Sequence, residues 1–249
     1  MGGDRPKALV PMAGTPLLRR VIDAAERTPL INKPIIVIGY KADEVIDAIG
    51  PHYKTALQTE QRGTGHAVQC AKEHVAQNTE HIMVLYTDHP LLTSHTITKI
   101  TQAHLAHGGP VTMATAHLPD FKDWRGAFSG FGRVLRDEGG NIVGIRERKD
   151  ANDIEAAIQE VNPAYFCFRA DWLWKHLDKI TTNNAQHEYY LTDLIAIAAQ
   201  DNEPIHGIAI EPHEALGVNT PTDLALAESI MVGYGYGQKD YSFDRNVVR

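Results

Sequence analysis

Three stretches of this chain place polar side chains where an open α/β sheet binds its ligands, just beyond the carboxyl end of a strand. In "LQTEQRGTGHAVQ" an extended pattern runs into Gln58-Thr59-Glu60-Gln61, and Gly63-Thr64-Gly65 then turns into a helix. Glycines let backbone N–H groups approach a ligand, and a helix N-terminus favours an anion. The alternative is a plain strand-to-helix turn. In "HIMVLYTDHPLL" an apolar run ends in Asp88, with Pro90 close behind. A carboxylate at a strand tip suits Mg²⁺, which takes one or two carboxylates plus waters and phosphate oxygens. A helix cap or a turn would use the same residue. The third group is dispersed: Glu147 in "RERKDA", Asn162 in "EVNPAY" and Asn219 in "LGVNTPTD". Such groups can hold sugar hydroxyls or complete a metal site, and each, taken alone, reads first as an ordinary turn residue.

The elements that must position these groups follow from periodicity. "LLRRVIDAAER" after Pro16 has helical spacing with proline at its start. "PIIVIG", "KTALQT", "HIMVLY" and "VTMATAHL" read as strands, separated by the helical "KADEVIDAIG", "TGHAVQCAKEHV" and "SHTITKITQAHLAHGG". This βαβα rhythm predicts an α/β fold with a mixed, mainly parallel sheet and helices on both faces. The pattern then changes. "GFGRVLRDEGGNIVGIRERKD" reads as two short strands around Asp137-Glu138-Gly139-Gly140-Asn141, a hairpin signal. A strand ("AYFCFR"), two helices ("ADWLWKHLDKI", "YYLTDLIAIAAQ"), a strand ("IHGIAI") and a last helix ("TDLALAESIM") complete the expected domain over residues 1–232. Residues 233–249, rich in glycine and charge, read as a flexible tail.

Totals narrow the function classes. A chain of 249 residues, 43% hydrophobic and 22% charged, can bury a sizeable core. A net charge of −7 argues against a general nucleic-acid or membrane-surface binder. Cys70 and Cys167 are the only cysteines and lie far apart, which fits reduced thiols in a cytoplasmic protein and no disulfide framework. No apolar run approaches a membrane span, and no signal-peptide pattern precedes the first element.

Taken in order, "RPKALVPMAGTPLL", "QTEQRGTGHAVQ", "VLYTDHPLL", "GFGRVLRD", "GIRERKDA", "IQEVNPAY", "NNAQHEYYLTD" and "GVNTPTDL" cover almost the whole chain. In that order they resemble the sugar-phosphate nucleotidyltransferases, most closely the uridylyltransferase domain of bacterial UDP-N-acetylglucosamine pyrophosphorylase. The resemblance implies the Rossmann-like nucleotide-diphospho-sugar transferase fold. It implies Lys7 as the phosphate-contacting lysine, and Gln58, Gln61, Gly63 and Thr64 as the uracil and ribose site. It implies Asp88 and Asn219 as Mg²⁺ ligands. It makes Tyr86, Gly132, Glu147 and Asn162 the acetamido-sugar pocket, with Glu188 and Tyr190 along the same side. The implied partners are UTP and a sugar 1-phosphate, with no nucleic acid and no membrane. The implied chemistry is in-line attack of a sugar 1-phosphate oxygen on the α-phosphorus of UTP, with catalysis by positioning and charge.

Two positions depart from the family pattern. Tyr86-Thr87-Asp88 stands where the family has Tyr-Gly-Asp, and Asn162-Pro163-Ala164 where it has Asn-Thr-Gly. Both touch sugar choice more than reaction type. A related enzyme for another sugar 1-phosphate or nucleotide, and a non-catalytic nucleotide-sugar-binding module, are the alternatives. The family also begins with a buried strand and a loop of the form LAAGxGTRM before the Pro-Lys pair. Met1 falls at the last residue of that loop, so the first strand and the phosphate cradle are expected to be absent here and encoded upstream. A chain without them is expected to be inactive and marginally stable.

Overall fold

Alternating apolar residues build two cores, one on each face of a central sheet. The computed structural model describes residues 5–233. The expected loop at Gly2–Asp4 and the expected tail beyond Gly233 lie outside them. The chain opens with a single 3₁₀ turn at Lys7–Leu9 and a small ribbon of β1 (Pro11–Met12) and β2 (Thr15–Pro16). There follow α1 (Leu17–Glu26), β3 (Ile35–Ile38), α2 (Ala42–Ile49), β4 (Lys54–Leu57), α3 (Thr64–Ala71), β5 (His81–Val84), α4 (Ser94–His107) and β6 (Val111–His117). The hairpin is β7 (Gly132–Arg136) and β8 (Ile142–Arg146). Then come α5 (Asp153–Ala156), β9 (Glu160–Asn162), β10 (Phe166–Arg169), α6 (Ala170–His176), α7 (Asp193–Gln200), β11 (Ile205–Ala209) and α8 (Pro221–Gly233).

Side chains two apart on a strand share a face. On β6, Val111 and Met113 enter the core with Phe166, Phe168, Leu173, Leu194 and Ile195, beneath α6 and α7. Ala114 and Ala116 enter the opposite core with Leu17, Ile97, Ile100, Cys167 and Ala227, beneath α1, α4 and α8. Helices therefore cover both faces. The helices expected from periodicity form close to their expected places, and the short α5 is an addition to them. Thr93 caps α4 by accepting from Thr96 N–H, and Gly108 ends that helix in the left-handed region.

The sheet is mixed, as expected, but it is mainly antiparallel rather than mainly parallel: of the six pairings in the seven-stranded sheet only β11 with β6 is parallel, because apolar strand patterns carry no direction. β10 lies between β5 and β6 and runs antiparallel to both, while β11 runs parallel to β6. Strands β5, β6 and β11 therefore share one direction, and the reversed β10 makes its own two pairs antiparallel. β7, β8 and β9 extend the sheet as an antiparallel ribbon joined to β6 through β9. β3 and β4 pair in parallel with each other alone. Among the described residues, no ladder links that pair to the seven-stranded sheet. Helix α1 spans both pieces: Leu17 packs with Ala114 and Cys167, while Leu18 and Ile22 pack on Ile36 and Ile38.

β9 and β10 line one edge of β6 with a slip between them. Met113 faces Phe166 and Ala116 faces Val161, so two residues of β6 oppose the four residues 162–165. The surplus forms a bulge at Asn162-Pro163-Ala164. Pro163 has no N–H to lose from a ladder. Ala164 adopts φ +63°, and its N–H donates to Asn162 Oδ1 at 2.9 Å.

Candidate active site

The strongest convergence brings together residues far apart in sequence. Lys7 Nζ lies 2.6 Å from Asp88 Oδ2 and 2.6 Å from Asn219 Oδ1. Lys7 stands on the first 3₁₀ turn, Asp88 four residues past β5, and Asn219 just before α8. Val218 N–H donates to Asp88 O at 2.7 Å, which ties the last two segments together. Asp223 Oδ2 accepts from the N–H groups of Asn219 and Thr220, so the start of α8 fixes the Asn219 backbone. An ammonium already bridges the carboxylate and the amide oxygen, so this oxygen pair is built to receive a cation. Asp88 and Asn219 are accordingly the residues that could hold a divalent metal.

Burial raises the Asp88 carboxyl, and the neighbouring His89 and Lys7 outweigh it and hold the group below its usual range. Burial also pushes the His89 imidazole down, toward its neutral form.

The glycine turn after β4 forms a second part of the site. Gln58 N–H extends the β3–β4 ladder to Ile38 O at 2.7 Å. Gln58 Nε2 donates to Gly63 O at 3.0 Å and lies 3.2 Å from His66 Nδ1, so this amide braces the turn. Gln61 is exposed, with its amide over Gly39. Gly63 has φ +106°, and a Cβ there would come within 2.7 Å of Tyr189 O. Only glycine fits that approach. Two backbone bonds and one to a side-chain hydroxyl staple the turn to the segment before α7. Tyr189 N–H donates to Arg62 O at 2.8 Å, Gly65 N–H to Tyr189 O at 2.7 Å, and Leu191 N–H to Thr64 Oγ1 at 2.9 Å.

A third part lies across that segment. Gly132 pairs with Asn162, and a Cβ on Gly132 would meet Ile145 Cγ2 at 2.9 Å and Glu147 Oε2 at 3.3 Å. Glu147, Gly132 and Asn162 are thus brought together. Thr192 Oγ1 donates to Glu147 Oε1 at 2.9 Å, while burial raises the Glu147 carboxyl. Tyr86 stands between the parts. Burial raises its hydroxyl well above the usual value, despite the hydrogen bond to Thr64, and the nearby Glu147 and Asp88 charges add to the rise. Tyr190 is buried beside the same acidic group, its hydroxyl pushed up to about 12 by burial and then by Asp150, Glu147 and Glu188. Burial, then the Asp150 charge, pushes the Asp193 carboxyl up to about 6.

The eleven site residues singled out from the sequence fall into these parts: Lys7, Asp88 and Asn219 in the first, Gln58, Gln61, Gly63 and Thr64 in the second, Gly132, Glu147 and Asn162 in the third, with Tyr86 between them. Sequence reasoning passed over Thr192, which orients Glu147, although it sits in the quoted "EYYLTD". It also passed over His89 and its partner Tyr165, whose link spans 76 residues and has no local signature.

Comparisons with known proteins place the chain in a family. Residues 1–120 match the MobA-like NTP transferase domain family. The bifunctional protein GlmU of Sorangium cellulosum is 39% identical over 94% of this chain and 49% of its own length. That of Exiguobacterium sibiricum is 39% identical over 90% of this chain and 49% of its own. That of Desulfotalea psychrophila is 35% identical over 92% of this chain and 66% of its own. The chain spans about half the length of the first two of these relatives. A solved CMP:2-keto-3-deoxy-manno-octonic acid synthetase, in complex with CTP, shares the fold with a TM-score of 0.65 at 15% identity, covering 94% of this chain and 95% of that one. The chain belongs to the sugar-phosphate nucleotidyltransferases.

Proposed function

We propose that this chain is part of an enzyme that joins UTP and N-acetylglucosamine 1-phosphate to give UDP-N-acetylglucosamine and pyrophosphate, with Mg²⁺ as its cofactor. The observation that carries the reading is the Lys7 ammonium held 2.6 Å from both Asp88 and Asn219, beside the Gly132–Glu147–Asn162 cluster. Asp88 and Asn219 would hold the metal, which when bound neutralises phosphate charge. Lys7 would hold a phosphate oxygen once that ion competes for its two partners. Gln61, with Gln58 behind it, would read the uracil edge, since an amide both donates and accepts. Gly63 and Thr64 would let the nucleoside lie close to the turn. Tyr86, Gly132, Glu147 and Asn162 would frame the acetamido sugar, with Glu188 and Tyr190 alongside.

A sugar-phosphate oxygen then attacks the α-phosphorus in line. A new P–O bond forms as the bond from the α-phosphorus to the bridging oxygen breaks, and its electron pair leaves with pyrophosphate. No side chain forms a covalent bond. One observation favours a second reading, a related sugar 1-phosphate. The bulge at Asn162-Pro163-Ala164 is stiffened by proline and holds an alanine at φ +63°.

Turnover of the full-length protein with a panel of nucleoside triphosphates and sugar 1-phosphates, followed by pyrophosphate release, tests the reading. UTP with N-acetylglucosamine 1-phosphate should be the preferred pair. Gln61→Ala should raise KM for UTP about tenfold or more and relax the preference for uracil. Unchanged base preference in that variant would move the base site elsewhere.

A further inference from the structure

His89 follows Asp88 directly and is 7% exposed. Its Nδ1 lies 2.9 Å from the Tyr165 hydroxyl, which itself donates to Glu214 O at 2.8 Å. A phenol carries one proton, and a carbonyl oxygen can only accept. The Tyr165 proton is therefore committed to Glu214, and the bond from His89 must run the other way, from Nδ1–H to the phenol oxygen. Glu214 is fixed in turn, because its carboxylate accepts from the hydroxyls of Thr93 and Thr96 at the start of α4. This chain of bonds settles the tautomer. In neutral His89 the proton sits on Nδ1, and Nε2 carries a bare lone pair.

That Nε2 atom lies on the cation side of the ring, 3.6 Å from Asp88 Oδ1. Gly217 keeps it clear. A Cβ at Gly217 would stand 3.3 Å from His89 Nε2 and 3.6 Å from Asn219 Nδ2. Nε2 and the Asn219 amide thus flank the same glycine. Two ligands of one ion, each about 2.1 Å from it, lie roughly 3–4 Å apart. Among the described residues, no group of three His, Cys, Asp or Glu side chains is spaced to hold a metal. The donors gathered here are one carboxylate, one amide and one imidazole.

We propose that His89 Nε2 is a third donor to the divalent cation held by Asp88 and Asn219, locked in its ligating tautomer by Tyr165 and Glu214. The inference rests on the metal-site reading given under Proposed function. A nitrogen ligand favours Mn²⁺ or Co²⁺ over Mg²⁺, which prefers an all-oxygen shell. The site should therefore hold Mn²⁺ more tightly than Mg²⁺, by a margin that depends on His89.

The test uses Mn²⁺ alone as the probe, with no turnover. Wild-type protein loaded with Mn²⁺ should show the ¹⁴N coupling of a directly bound imidazole in pulsed electron paramagnetic resonance. His89→Phe should remove the coupling and weaken Mn²⁺ binding about tenfold or more, with Mg²⁺ binding changed less than about threefold. If His89→Phe fails to fold, Gly217→Ala crowds Nε2 without removing it and should lower the Mn²⁺ to Mg²⁺ preference in the same direction. Mn²⁺ bound through Asp88, lost in Asp88→Asn but without ¹⁴N coupling in wild type, would overturn the role of His89 and leave the metal site standing. Mn²⁺ binding that is absent, or unaffected by Asp88→Asn, would overturn both.

Discussion

The cation corner and the substrate wall are built on different principles. At the corner, Lys7, Asp88 and Asn219 come from three distant segments and meet through side-chain charge, at 2.6 Å. Along the wall, the Gly63 turn and the segment before α7 meet through backbone bonds, and glycines at 63 and 132 admit the close approach. A charge cluster tolerates a changed partner and fails when its charge is removed. A backbone-stapled wall tolerates charge changes at its rim and fails when a methyl group is added. In the proposed reading the corner would serve the phosphate chemistry common to many nucleotides, whereas the wall would set which molecule fits.

The comparison makes its largest demand at Asp88. Asp88→Asn keeps the shape and removes the charge, so turnover should drop about 10²–10³-fold while thermal unfolding stays near that of wild type. Near-normal turnover in the folded variant would break the contrast at its first term. Gly63→Ala should do the opposite. Its Cβ would stand 2.7 Å from Tyr189 O on a backbone at φ +106°. Denaturant unfolding should show a loss of about 2–3 kcal/mol, and KM for UTP should rise more than kcat falls. A stable variant with normal KM would mean that the turn relaxes and that shape is not what the wall protects.

How much of this was legible in the sequence divides along the same line. Asp88 stood out because an apolar run ended in a carboxylate, and the glycine turn because it joined a strand to a helix. The βαβα rhythm gave helices on both faces of the sheet. The reversal of β10 was hidden, because a continuously buried strand reads the same in either direction. The slip at Asn162–Ala164 was hidden because register is a relation between strands that no single segment carries. The short α5 does have a local signature, the capping box of Asn152 and Glu155, that went unread. The closeness of Lys7 and Asn219, 212 residues apart, came from family resemblance alone.

A third region supplies a reference away from both parts. His104 is 1% exposed on the far side of α4, between His81 Nδ1 and Thr112 Oγ1, each at 3.0 Å. Burial, then the neighbouring His81, His206 and Arg169, pushes its imidazole down to about 4, from an ordinary 6.5. The folded state keeps His104 neutral while the unfolded chain takes up a proton below pH 6.5. Stability from this group is therefore full above 6.5 and lost as pH falls toward 4, at up to about 1.4 kcal/mol per pH unit. Urea unfolding across that window should show a shallower decline in His104→Gln. An identical decline in both proteins would place the acid sensitivity elsewhere, including the acidic groups of the wall.

The smallest effect sharpens the wall itself. Ala164 holds φ +63°, where an L side chain is strained and glycine is not. Ala164→Gly should raise stability by about 0.5–1 kcal/mol and the melting temperature by about 1–4 °C. If proline and alanine stiffen the bulge for sugar choice, the variant should also accept a wider range of sugar 1-phosphates. Greater stability with unchanged selectivity would separate the strain from specificity.

The split between the β3–β4 pair and the larger sheet has a dynamic consequence. Among the described residues, these two strands form a ladder only with each other, and they meet the rest of the molecule chiefly through packing against α1, α2, α3 and the first 3₁₀ turn. Such a leaf can open without unzipping β6 or β10, so its amides should exchange with solvent at a lower free energy than those of the central strands. Gln58, whose N–H continues the leaf's ladder, would open with it. A nucleotide seated against that edge would close the leaf by mass action, and exchange protection at Ile35–Ile38 and Lys54–Leu57 would then report its binding from a distance.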